Sequence, residues 1–297
     1  MQCSRCSRDA IVFQPYSGLH LCGQHLIADV EAKAKKVIRA QGWLIPGDHI
    51  AVLLSGDKSS SALLYFLKQL TAQRQDIRIS AIIVAEGAGT CSDTSRAKRI
   101  AEHLDTEFLE VSLSEKTGIR TETVTRINPD ISSLPVLPAS HPVQLDWIAH
   151  QHGITKIAWG LCLDEAAGIV LGNVIRGDAE KLVRSKSGQD LLIRICPFIS
   201  VTAAEVSLYA ALCGFGNEQV PGPDQGYGLH KDTIAMLDTF TNNHPATKYA
   251  LLNLGENLTG FPTGIAGLIH ACEGYREYQR GYCYDSSIEC EEKNGAS

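Results

Sequence analysis

Hydrophobic positions change their period several times along this chain. Short apolar runs of strand length, His49–Leu54, Ile77–Ala85, Glu107–Val111, Thr155–Trp159 and Leu191–Ile195, are separated by stretches whose apolar residues recur at a helical spacing. Those helical stretches are Ser60–Leu70, Thr94–Leu104, Pro142–His152, Asp164–Ile175 and Ala203–Cys213. The run Ile79-Ser80-Ala81-Ile82-Ile83-Val84 is apolar almost throughout, as a strand covered on both faces requires. Such alternation predicts an α/β fold, a parallel sheet with helices on both faces. Between 113 and 141 turn chemistry (Asn128-Pro129-Asp130, Leu137-Pro138) replaces any period, and a loop of that length inside a domain is commonly functional.

The two ends have a different texture. Residues 1–27 contain Cys3-x2-Cys6 and Cys22-x2-His25, separated by a hairpin-length insert in which Ile11-Val12-Phe13 precedes Tyr16-Ser17-Gly18. Two i, i+3 ligand pairs close a tetrahedron around Zn2+, and a full ligand set implies a structural metal. So short a segment has too little core to fold alone; metal binding supplies on the order of 10–16 kcal/mol in comparable peptides. Ala28–Ala40 then predicts a helix ending near Gly42, with Lys33, Lys35, Lys36 and Arg39 as either a solvated surface or a contact to RNA phosphates. Past Pro221-Gly222-Pro223-Asp224, helices are expected at Lys231–Asn242 and Ala246–Leu252. An acidic tail follows with His270, Cys272, Cys283 and Cys290, a second candidate zinc set or simply free thiols. The expected divisions are a zinc ribbon at 1–27, an α/β domain at 28–215, and a helical C-terminal region with a degenerate ribbon at 216–297.

Charge narrows the function. Lys plus Arg number 27 against 33 Asp plus Glu, a net charge of −6, which excludes a uniformly basic nucleic-acid binder while permitting a local basic face. No stretch approaches the ~20 apolar residues of a membrane span, and Met1–Cys6 has no signal-like apolar core, so a soluble cytoplasmic protein is expected. Ten cysteines in 297 residues are too few for a disulfide scaffold; Cys162, Cys196 and Cys213 read as small core residues.

Chemistry concentrates after the first strand of the alternating region. In Leu54-Ser55-Gly56-Asp57-Lys58-Ser59-Ser60 an apolar strand runs through a small-residue turn directly into a helix. The amides at such a helix start form either an anion site, at the sheet edge where open α/β folds bind ligands, or an ordinary Ser-rich helix cap. The Walker pattern Gly-x4-Gly-Lys-Ser/Thr is absent.

Ser55-Gly56-Asp57-Lys58-Ser59-Ser60 resembles the PP-loop, Ser-Gly-Gly-x-Asp-Ser, of the ATP pyrophosphatase enzymes. The flanks are similar to the TtuA-type branch (TtcA/TtuA superfamily), ATP-dependent tRNA 2-thiouridine synthetases. They include the Cys/His ribbon, Tyr16-Ser17-Gly18-Leu19-His20-Leu21-Cys22, Glu86-Gly87, Gly160-x2-Leu163-Asp164 and Arg176-Gly177-Asp178. Glu205-Val206-Ser207-Leu208-Tyr209 and His244-Pro245-Ala246-Thr247-Lys248-Tyr249 belong to the same likeness. The resemblance implies a Rossmann-like (adenine nucleotide alpha hydrolase-like) sheet on which ATP adenylates the C2 oxygen of a tRNA uridine and sulfur then displaces it. It implies Ser55, Gly56, Lys58, Ser59, Ser60, Gly87 and Gly160 at ATP, with Mg2+, and Asp164 as the catalytic or metal-binding carboxylate.

Departures fall on the chemistry. Asp57 stands at the second PP-loop glycine and Ser59 at its aspartate; Gly-His-Asn-Leu-Asp-Asp reads Gly160-Leu161-Cys162-Leu163-Asp164-Glu165. Where the family places its Cys-x2-Cys for an iron–sulfur cluster or thiol pair, Leu134–His141 has no cysteine, nor does the later position near Gln219-Val220-Pro221, so no Fe–S cluster is expected. Cys196 replaces a family lysine. The expectation is a catalytically reduced paralogue in tRNA thiolation, a homo- or heterodimer meeting tRNA, a sulfur-carrier protein or an active thiolase paralogue. Two other readings stay open: an ATP-dependent sulfurtransferase or adenylating enzyme of altered chemistry, and a binding module on the same fold.

Overall fold

The computed structural model describes residues 1–86, 94–113, 145, 148–177, 192–216 and 229–259. Among them a two-stranded antiparallel hairpin, β1 (Val12–Gln14) and β2 (Leu19–Leu21), precedes α1 (Gly23–Gln41). The alternating region supplies β3 (His49–Leu53), α2 (Lys58–Thr71), β4 (Arg78–Glu86), α3 (Ser95–His103) and β5 (Phe108–Leu113). It continues with β6 (Lys156–Ala158), α4 (Leu163–Arg176), β7 (Ile193–Ile195) and α5 (Ala203–Leu212), and α6 (Leu229–Thr241) and α7 (Thr247–Thr259) close the described chain. Helical backbone at 145 and 148–151 falls inside the expected Pro142–His152 helix.

All five strands of the main sheet are parallel, in the order β5-β4-β3-β6-β7. Burial on both faces accounts for their composition: Ile50, Ala51, Val52, Ile82 and Ile157 are fully buried. From β3 the chain steps outward through β4 to β5, then returns to pair β6 with the free side of β3. That reversal opens a crevice at the carboxyl ends of β3 and β6, where ligands bind in open α/β sheets. Phe66 of α2, Phe198 and Tyr209 of α5 meet in sequence through the core, the first pair tilted and the second edge-to-face, with centroids 5.6 and 6.1 Å apart.

Helix α1 begins at Gly23, five residues before the expected start, because extended Cys22 serves as its N-cap. The second metal knuckle is therefore the first turn of a helix whose Leu26, Val30, Ala34 and Ile38 form one buried stripe. Gly42, at φ 62°, ends it with amide contacts to the Arg39 and Ile38 carbonyls. Hairpin residue Leu21, α1 and the sheet share one continuous core. Cys162 and Cys196 are buried and Cys213 half-buried, as expected for packing thiols.

At the opposite, amino-terminal edge of the sheet, Lys156 and Asp48 pair with side chains 5 and 3% exposed. Asp48 also accepts from the Ile45 amide at 2.8 Å and the Thr155 hydroxyl at 3.0 Å. Replacing Lys156 by Met leaves that carboxylate buried without its cation, and urea denaturation is expected to show a loss of about 3–5 kcal/mol.

Candidate functional site

Three constellations of polar side chains stand out in the fold, the first of them at the knuckles. Cys3 Sγ lies 3.3 Å from His25 Nδ1, Cys22 Sγ 3.4 Å from the same nitrogen, and Cys6 Sγ 3.7 Å from Cys22 Sγ. All four donor atoms fall within 4.8 Å of one another, the one such group among the described residues. A tetrahedral ion with sulfur at about 2.3 Å and nitrogen at about 2.0 Å needs ligands roughly 3.4–3.8 Å apart, so the donor set fits. Burial pushes the Cys3 thiol up, but amide hydrogen bonds from Arg5 and Cys22 and the His25 ring outweigh it, and its pKa falls to about 6. At Cys6 the Arg8 amide lowers the thiol, yet burial and the Cys22 and Cys3 sulfurs prevail and raise it. His270, Cys272, Cys283 and Cys290 lie outside the described residues, as do Gly87, Leu134–His141 and Gln219–Pro221.

The second constellation is the β3–α2 loop at the crevice. The fold brings Ser55, Gly56, Lys58, Ser59, Ser60 and Gly160 together there. A Cβ on Gly160 would sit 2.9 Å from the Ser59 carbonyl carbon and the Ser60 amide, so glycine lets the loop after β6 touch the start of α2. Gly56, at φ 82°, turns the chain so closely under α3 that a Cβ would meet the Ala97 amide at 3.1 Å. The positive ends of α2 and α3 thus converge. An anion is already present. Asp57, N-cap of α2, accepts the Ser60 amide at 2.7 Å. Its carbonyl takes the Ser61 hydroxyl at 2.5 Å, and Ser60 Oγ is 3.1 Å from Ser55 Oγ. The carboxylate thus holds a first-turn amide that a phosphate would otherwise contact.

The third surrounds Asp164, in the first turn of α4. Its Oδ1 accepts Lys248 Nζ at 2.5 Å and its Oδ2 the Ala203 amide at 2.6 Å. Lys248 also pairs with Asp238 at 2.6 Å. Burial pulls the Lys248 ammonium down, but the two carboxylates more than compensate and raise its pKa. Asp164 thereby clamps α4 to the starts of α5 and α7. Beside it, burial and then the Glu165 and Asp164 carboxylates push the Cys162 thiol well above its usual value, so it is not a thiolate at neutral pH.

Sequence reasoning gave Glu205 and Lys248 no role. Glu205, 2% exposed, accepts from Gln14 Nε2 at 2.5 Å, Lys33 Nζ at 3.1 Å, the Tyr16 hydroxyl and the Thr202 amide. The Thr202-x2-Glu205 capping box was the available signal. The basic face of α1 is also smaller than its charges suggest. Lys33 pairs with Asp29 and Glu205 and Lys35 with Glu31, leaving Lys36 and Arg39 exposed.

Comparison with known proteins follows the same pattern. Residues 2–27 match the family model described as the N-terminal LIM domain of the 2-thiouridine synthetase TtuA. The cytoplasmic tRNA 2-thiolation protein 1 of Bos taurus is 30% identical over 278 residues, 88% of this chain and 79% of that protein. The tRNA 2-thiolation protein NcsA of Haloferax volcanii is 25% identical over 273 residues, 85% of each chain. Among solved structures, the U34-tRNA thiolase NcsA of Methanococcus maripaludis with its [4Fe-4S] cluster superposes with a TM-score of 0.74 at 25% identity, covering 87% of this chain and 88% of that one.

The Gly160 contact gives a direct test of the crevice. Gly160→Ala must separate the β6 loop from α2, and thermal or urea unfolding is expected to show a loss of about 1–3 kcal/mol.

Proposed function

Because the chain belongs to the TtuA/NcsA-type tRNA 2-thiolation family, we propose that it serves tRNA 2-thiolation in the cytoplasm as a catalytically reduced member. It is then a partner or regulator of a competent thiolase, with tRNA as the shared substrate. The observation that carries this reading is the Asp57 carboxylate on the Ser60 amide, at the helix start where a PP-loop receives phosphate. A fixed negative charge there opposes an incoming triphosphate.

Three further features point the same way. Ser59 lacks the charge of the PP-loop aspartate and so contributes less to holding Mg2+. Both oxygens of Asp164 are engaged by Lys248 and Ala203. Leu134–His141 contains no thiol, and Cys162, at the start of α4, is buried and held protonated, unsuited to replace a cluster ligand or carry sulfur. Within this reading Cys3, Cys6, Cys22 and His25 hold Zn2+, whose contribution is folding energy rather than chemistry.

Calorimetric titration with Mg-ATP tests the carrying observation. Asp57→Gly combined with Ser59→Asp is expected to bind at least about tenfold more tightly than the wild type, since removing one like charge and adding a metal-binding one each favour the bound phosphates. A wild type that binds equally well, releases AMP and yields 2-thiouridine on tRNA unaided would refute the reduced state. Metal analysis is expected to find about one zinc per chain from the knuckles. Cys22→Ala should lose it.

A further inference from the structure

The buried cluster around Glu205 joins two sites that are otherwise separate. Gln14 and Tyr16, which donate to Glu205, belong to the hairpin between the two metal knuckles. That hairpin has only two strands of three residues each, too little to hold its own shape in water. A metal on Cys3, Cys6, Cys22 and His25 pins both of its ends. Without the metal the hairpin keeps only Leu21 in the core and its own side-chain contacts to Asp29, Glu205 and Tyr249; where these give way, Glu205 keeps only Lys33 and the Thr202 amide. A buried carboxylate short of donors is costly, and it relaxes by moving.

Two routes carry that movement to Asp164. Glu205 sits in the first turn of α5 and caps the Thr202 amide at 3.0 Å, and the next amide, Ala203, holds Asp164 Oδ2. Independently, the Tyr16 ring packs on Tyr249 at 5.1 Å, and Tyr249 donates to the Ser200 carbonyl at 3.3 Å. Its neighbour Lys248 holds Asp164 Oδ1. The routes thus end on the two oxygens of one carboxylate. We propose that Glu205 and Tyr16 link the knuckle metal site to Asp164, so that metal occupancy sets the clamp at the head of α4. Glu205 is on this account a positioning residue, and the linkage is reciprocal: loosening the clamp weakens metal binding.

Hydrogen exchange read by mass spectrometry on the full chain, zinc-loaded and chelator-stripped, tests the outward direction. Stripping is expected to remove protection from residues 203–206, 163–166 and 247–250 while β3 and β4 stay protected. Loss confined to residues 1–25 would overturn the proposal. The reverse direction uses zinc affinity, measured by competition with a chromophoric chelator. Lys248→Met is expected to lower it about fivefold or more, although Lys248 is no metal ligand. Lys36→Met, on the exposed side of α1, serves as the control and should leave affinity unchanged. Equal affinity in wild type and Lys248→Met, or an equal fall in both variants, would count against the linkage.

Discussion

A carboxylate removed from water must find hydrogen-bond donors, and the way Glu205 finds them shapes the rest of this molecule. Its donors come from the hairpin, from α1 and from the start of its own helix. No one element satisfies it alone, so the metal knuckles, the connecting helix and the α/β body are held in one arrangement. Asp29 extends the network to Arg5, Gln14 and Lys33. Burial raises its carboxyl, but those donors outweigh burial and hold it below the usual range. Stability from Asp29 is thus present above its unfolded pKa and is lost as pH falls through the lower folded value.

The crevice combines close backbone approaches with a helix start that carries its own charge. Glycines at 56 and 160 still permit the close backbone approaches that bring α2, α3 and the β6 loop together. What differs is charge. Asp57 turns the start of α2 into a self-capped helix, a stabilising arrangement that competes with binding an external anion. Asp164, held by Lys248 and Ala203, likewise spends its hydrogen-bonding capacity on joining helices.

Much of this was legible in the residues. Period changes located the strands and helices to within a few residues, because strands buried on both faces and amphipathic helices leave distinct apolar spacings. Two displacements stand out: α7 runs on to Thr259, past the expected end at Leu252, and α1 starts at Gly23 because Cys22 adopts the capping conformation, a local geometry that hydrophobic spacing does not encode. Knuckle spacing picked out the four residues whose donor atoms the fold gathers within 4.8 Å, since an i, i+3 pair is a chemical constraint as well as a pattern. Lys33 was misleading: charge and helical position suggested a solvated or RNA-facing side chain, whereas it lies against Glu205, 172 residues away in sequence.

The residues by themselves determined the α/β class, the candidate metal-donor set and the placing of Asp57 and Ser59 in the loop after β3, all properties of local spacing and side-chain chemistry. Tertiary structure alone decided which charges meet: that Asp57 turns back onto its own helix, that Lys248 crosses to Asp164, and that Gln14, Tyr16, Lys33 and Glu205 share one buried site. The reason is that a charged group's partner is set by which surfaces pack together, and packing joins positions that no local pattern relates.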